Sequence, residues 1–208
     1  MSDAEVRLPS FFLVGAPKAG TTSLYDHLDQ HPDIYVSPLK EVCYFSTEVR
    51  PGRMARELQG RAKQDSDSLR AYLDGPLLEP RFSGVVTEWV DYCRLFAGVR
   101  HERAIGEGSV CYLWSKTAPE RIASCVPNAK ILIVLRNPVD RAFSQYLHNL
   151  HSGDVRYSFR KHLDAAMAHD NDGPFSVLHP FLELGMYAEQ VRRYMRHFPA
   201  VADWHVAL

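Results

Sequence analysis

No segment of this sequence is apolar for long enough to cross a bilayer. The longest apolar run, residues 131–135, falls far short of the roughly 20 residues a spanning helix needs. The first residues, MSDAEVRLPS, lack the basic and apolar regions of a signal peptide, so the chain reads as cytoplasmic. Cysteine is scarce: Cys43, Cys93, Cys111 and Cys125 form no CxxC pair and are too few for a disulfide framework, and reduced thiols are expected. Neither sign of charge is in excess, since 24 Lys and Arg meet 25 Asp and Glu for a net charge of −1. That balance excludes a global field drawing the chain onto nucleic acid or an anionic membrane, and any anion site must be local. Repeats and low-complexity tracts are also missing. What is present is 208 residues, 46% hydrophobic, with ordinary glycine and proline, which suits one globular domain over 1–208 burying roughly 70% of its unfolded surface.

Short apolar runs alternate with helical patterns, the signature of βα units around a parallel sheet. Residues 11–14 form a first strand closed by Gly15 and Pro17, and 22–31 a helix with Leu24 and Leu28 four apart, stopped by Pro32. A second strand is expected at 34–36, followed by a strand end or structured loop at 41–45. Residues 50–70 are polar, with six positive charges, and read as a mobile excursion. The spacing of Val85, Trp89, Tyr92 and Phe96 predicts an amphipathic helix over 84–97 that buries its aromatics. Strands at 104–107 and 130–135 flank a helix at 119–125, the second strand apolar enough to be buried on both faces. Helices at 138–150, 159–167 and 185–198 precede a terminal strand at 204–208.

The sharpest feature is FFLVGAPKAGTTSL, residues 11–24. An apolar strand runs into a loop with two glycines and a lysine, and the loop opens a helix through consecutive hydroxyl residues. Gly15 and Gly20 let backbone N–H groups approach an anion, the helix N-terminus favours negative charge, Lys18 adds a full charge, and Thr21 and Thr22 add donors. The plainer alternative is a tight turn with a threonine cap. A nucleoside-triphosphatase loop, GxxxxGK[ST], requires lysine directly after the second glycine, where this chain has Thr21. Such enzymes also need an Asp after a second strand to hold Mg²⁺, yet the strand at 131–135 leads into Arg136, a phosphate ligand. A nucleotide kinase or triphosphatase is therefore the rival reading. The other is a truncated nucleotide-binding domain without turnover.

PKAGTT after an apolar strand resembles the 5′-phosphosulfate loop of the sulfotransferases that use 3′-phosphoadenosine-5′-phosphosulfate (PAPS). ILIVLRNPVDRAFSQYLH, residues 131–148, resembles their 3′-phosphate motif. HPDIYVSPLKEVCYF (31–45) and GMYAEQVRRYMRHFP (185–199) are similar to segments of the glycan-type members, including heparan sulfate sulfotransferases and their bacterial relatives. The resemblance implies an α/β fold, a central parallel sheet flanked by helices with a P-loop-like phosphate-binding loop after the first strand. It also implies PAPS as donor, no metal, and a hydroxyl or amine acceptor on a carbohydrate or glycoconjugate. Donor contacts fall on Lys18, Ala19, Gly20, Thr21, Thr22, Arg136 and Ser144.

Arg136 leaves the sheet at its carboxyl end and Ser144 lies two helical turns on, so a guanidinium fork and a hydroxyl meet one terminal phosphate. The alternative pairs Arg136 with Asp140 as a helix brace. By the resemblance, Lys18 neutralises the departing 5′-phosphate and Glu41 takes the acceptor's proton. The alternative for Glu41 is a structural carboxylate pairing Lys40 or Lys18. Glu107 stands next in line as a carboxylate facing the acceptor. His27, His31, His148 and His151 read as solvated helix positions, and Arg192, Arg193 and Arg196 as a solvated face. Three departures from the family pattern stand out: Gly108 replaces a substrate-contacting lysine of some members, Cys43 a histidine, and the C-terminal nucleotide-covering loop has no counterpart before Leu208.

Overall fold

A computed structural model describes residues 7–169, 173–199 and 206–207. Its first half runs β1 (Phe11–Gly15), α1 (Thr21–Asp29), β2 (Ile34–Val36), β3 (Leu39–Lys40), α2 (Arg56–Asp74), β4 (Arg81–Phe82) and α3 (Trp89–Arg94). The second half runs β5 (Ala104–Gly108), α4 (Cys111–Trp114), α5 (Ala118–Cys125), β6 (Lys130–Val134), α6 (Pro138–His151), α7 (Phe159–Ala168), α8 (Tyr187–His197) and β7 (Val206–Ala207). The class is α/β, as expected. The main sheet has the order β2–β5–β1–β6–β7 with every pair parallel. Residues along β1 are buried throughout, and alternate side chains feed two cores. Phe12 and Val14 join Ile105, Ile131 and Ile133 beneath α4, α5 and α8, whereas Phe11 and Leu13 meet Leu24 and Leu28 of α1.

β5 and β6 flank β1 on opposite sides, so the chain departs in two directions at the carboxyl end of β1. Open α/β sheets place ligands in such a crevice. A second sheet pairs β3 with β4 in parallel, Lys40 opposite Phe82, beside that end.

Several elements depart from the sequence reading. The polar stretch 50–70 is not an irregular excursion: it holds a 3₁₀ turn at Pro51–Arg53 and most of α2. Leu69 and Leu73, four apart, are buried against the main core, and burying a leucine contributes roughly 1.5–3 kcal/mol, while Arg56, Lys63, Asp65, Asp67 and Arg70 are exposed. The helix expected over 84–97 shrinks to α3. Residues ahead of it are drawn into backbone bonds with the Glu41 loop, Gly84 N–H to Glu41 O at 3.3 Å and Val86 N–H to Val42 O at 3.0 Å. Tyr92 and Phe96 are buried as expected, but Trp89 is 41% exposed. β6 buries only Ile131 and Ile133 fully; Leu132 and Val134 are partly covered on the α1 side. Residues 206–207 of the expected terminal strand pair with β6, and its other residues lie outside those described.

Arg193 is not solvated: it donates to the Trp114 carbonyl at 2.7 Å, tying α8 to the end of α4. Arg141, missed in the sequence, is fully buried and donates to the Phe181 carbonyl at 2.6 Å, anchoring the segment that carries Phe175.

Candidate active site

The loop after β1 is held on both sides. Ala16 N–H donates to Val134 O at 2.6 Å, and Arg136 Nη1 to the Lys18 carbonyl at 3.2 Å, joining the two sequence motifs through a direct contact. Gly20 caps α1 with φ 90°, a left-handed conformation glycine adopts without steric cost, and offers no side-chain cap. The first N–H groups of a helix have no intrahelical partners, so this terminus remains receptive to an anion. Lys18 also sits at positive φ, 63°, a strained position for a residue with a Cβ, of the kind that collects at functional sites. Burial, then the charge of Arg136, holds the Lys18 ammonium below the usual lysine range.

Glu41 faces the same space from the end of β3. Its φ of 61° is again left-handed. The backbone N–H donates to Gly108 O at 2.8 Å, which pins the residue to the end of β5. Its carboxylate accepts Lys40 Nζ at 2.6 Å on one oxygen and the Val110 N–H at 2.8 Å on the other. The pairing with Lys40 weighed from sequence is thus present, yet Glu41 also lines a cavity of about 590 Å³ together with Lys18, Gly20, Thr21 and Thr22. Ala19, Arg136 and Ser144 lie outside that lining. Cys43 and Cys111 border it with their sulfurs 3.1 Å apart, from positions 68 residues apart in the chain.

One expectation about the site is extended and another changes. His148 is exposed on α6, as expected, but it also borders the cavity that Lys18 lines, and partial burial first, then Lys18, lowers its pKa, favouring the neutral imidazole. Its signal in the sequence was its place one helical turn beyond Ser144 on the same face. Glu107, by contrast, does not face the open cavity. It is fully buried and accepts Ser109 Oγ at 2.5 Å and the hydroxyls of Tyr112 and Tyr92 at 3.0 and 3.4 Å. Burial pushes its carboxyl up from 4.5 to about 8; the Glu41 charge adds to the rise and the hydroxyl donors oppose it. Gly108 is required by Tyr25, whose ring would lie 2.7 Å from any Cβ there.

A pH dependence of stability follows. Because the folded protein holds the Glu107 proton more tightly than the unfolded chain, this stabilisation is complete below about pH 4.5 and is lost as the pH rises to about 8. At about 1.4 kcal/mol per tenfold change in proton affinity, the loss is on the order of 5 kcal/mol. Thermal melts should show wild type losing stability relative to Glu107→Gln between pH 5 and 8.5; parallel curves would refute a protonated Glu107.

Comparison with known proteins agrees with this geometry. A family model described as "Sulfotransferase family" matches residues 9–190. The chain belongs to the sulfotransferase family. It is 30% identical over 196 residues to the human bifunctional heparan sulfate N-deacetylase/N-sulfotransferase 3, covering 93% of the chain and 19% of that relative. It is 29% identical over 178 residues to rat carbohydrate sulfotransferase 15, covering 77% and 30% respectively. The crystal structure of a sulfotransferase from Alicyclobacillus acidocaldarius superposes with a TM-score of 0.77 at 36% identity, over 98% of this chain and 74% of that one. The chain thus spans less than a third of the length of these two curated relatives. Among the described residues, no helix is long and apolar enough to cross a membrane.

Proposed function

We propose that this sulfotransferase moves a sulfuryl group from PAPS to a hydroxyl or amine of a carbohydrate or glycoconjugate. The loop after β1 holds the 5′-phosphosulfate through Thr21, Thr22 and the N–H groups opening α1, and Arg136 with Ser144 holds the 3′-phosphate. The acceptor oxygen, or nitrogen, forms its bond to sulfur as the bond from sulfur to the bridging phosphate oxygen breaks. Glu41 takes the acceptor's proton, Lys18 neutralises the charge gathering on the departing 5′-phosphate, and adenosine 3′,5′-bisphosphate leaves. The observation that carries this reading is the convergence of Lys18 and Glu41, from different strand ends, on one cavity beside an uncapped helix N-terminus. Names of the relatives support a carbohydrate acceptor, since one is a heparan sulfate N-sulfotransferase and another a carbohydrate sulfotransferase.

Calorimetry tests the donor side. Arg136→Ala should weaken adenosine 3′,5′-bisphosphate by about 10- to 100-fold, the worth of a charge-assisted hydrogen bond, and leave adenosine 5′-monophosphate almost unchanged. Equal losses for the two nucleotides would remove Arg136 from the 3′-phosphate.

A further inference from the structure

The cavity that holds Lys18 and Glu41 also carries a set of apolar side chains. Val49, Met54, Phe82, Val85 and Phe175 line it, and Phe82 is 61% exposed. Three smaller cavities share Phe175 as a wall residue: one of about 280 Å³ is lined by Trp114, Val177 and Phe181 and one of about 270 Å³ by Leu58 and Leu69, whereas a third, of about 560 Å³, carries Glu48, Arg53 and Lys116. Phe175 is held in place by its backbone: its N–H donates to Arg53 O at 3.3 Å and its carbonyl accepts the Ala55 N–H at 2.8 Å. The apolar wall is therefore continuous with the reacting groups and braced by main-chain bonds.

Charge argues the same way. Among the described residues lining this cavity, the lysines are Lys18, on the phosphate loop, and Lys40, whose ammonium is held 2.6 Å from Glu41 and 4.7 Å above the Phe82 ring. His148 is shifted toward the neutral form. A polyanionic chain lying over Met54, Phe82, Val85 and Phe175 would meet, among the described lining residues, no cation beyond the phosphate loop except the paired Lys40, since Arg53 belongs to the neighbouring cavity, and its charges would lose water without full compensation. An apolar group in the same place gains by leaving water.

We propose that the acceptor is an amphiphile, a sugar-like or other hydroxyl-bearing head joined to an apolar aglycone, and that Met54, Phe82, Val85 and Phe175 select it by burying the apolar part. The inference rests on sulfuryl transfer between Lys18 and Glu41. The head's hydroxyl oxygen gains the bond to sulfur, its proton passes to Glu41, and the bisphosphate carries away the electron pair of the broken bond.

The test measures acceptor binding to protein saturated with adenosine 3′,5′-bisphosphate, using methyl, butyl and hexyl β-glucosides and a de-N-sulfated heparin oligosaccharide. Affinity should rise up to about fourfold per added methylene, the factor expected when each is fully buried, and the hexyl glucoside should bind more tightly than the oligosaccharide. Met54→Lys and Phe175→Lys should flatten the alkyl series while leaving bisphosphate affinity as it is. A series independent of chain length, tighter binding of the oligosaccharide, or binding of no acceptor to bisphosphate-loaded protein would overturn the proposal. A graded alkyl series in protein that does not bind the bisphosphate would instead remove the donor reading and leave the apolar wall intact.

Discussion

Glu41→Gln should lower turnover by about 10²- to 10⁴-fold, the usual contribution of a positioned general base, while affinity for adenosine 3′,5′-bisphosphate stays within twofold. The amide is nearly isosteric, and its oxygen can keep the bond from the Val110 N–H that now fixes one carboxylate oxygen. What it loses is the lone pair that receives the acceptor's proton. Transfer of labelled sulfate together with bisphosphate calorimetry separates the two effects. Full activity in the variant would move the search for a base to His148, because that residue lines the cavity and its imidazole is shifted toward the neutral, proton-accepting form. Glu107 is a poor substitute: it is sealed from the cavity by its own hydroxyl partners and holds its proton to about pH 8.

Replacing the loop lysine should act on binding and rate together. Lys18→Ala is expected to reduce kcat about 10²- to 10³-fold, the scale seen when one group stabilising developing charge is removed, and to weaken bisphosphate binding as well. The positive φ at this position strains alanine much as it strains lysine, so the comparison isolates the ammonium. Lys18→Arg restores the charge with a different shape and should recover part of the binding and less of the rate, since a guanidinium presents its donors as a fork rather than a point. A kcat unchanged in Lys18→Ala, with only the nucleotide bound less tightly, would confine the lysine to ground-state binding.

The parts of this protein legible in the sequence are those whose cause is local. An apolar run ending in glycine, a lysine and two threonines opening a helix specify the β1 loop and α1 within fourteen residues, and the structure has them with nearly the expected bounds. The parallel sheet follows from the alternation of short apolar runs with helical periods. Misreadings occur where distant residues decide. The charged stretch 50–70 is helical because two leucines find the core, and the segment before α3 is extended because it bonds to the Glu41 loop some forty residues earlier.

The same division runs through the site. The sequence by itself pointed to the loop after β1 and to Arg136 as an anion site through the residue types standing together there, and to Glu41 only through the family resemblance. Only the tertiary structure decided that Glu41 opens onto the cavity while Glu107 is shut away, since Tyr92, Ser109 and Tyr112 surround one carboxylate and the other stands at a cavity edge. It also decided that His148 joins Lys18, and that Met54, Phe82, Val85 and Phe175 make one wall. Burial, and with it proton affinity and the choice between a charged and an apolar guest, depends on which residues meet across the fold, a property no single stretch of chain contains.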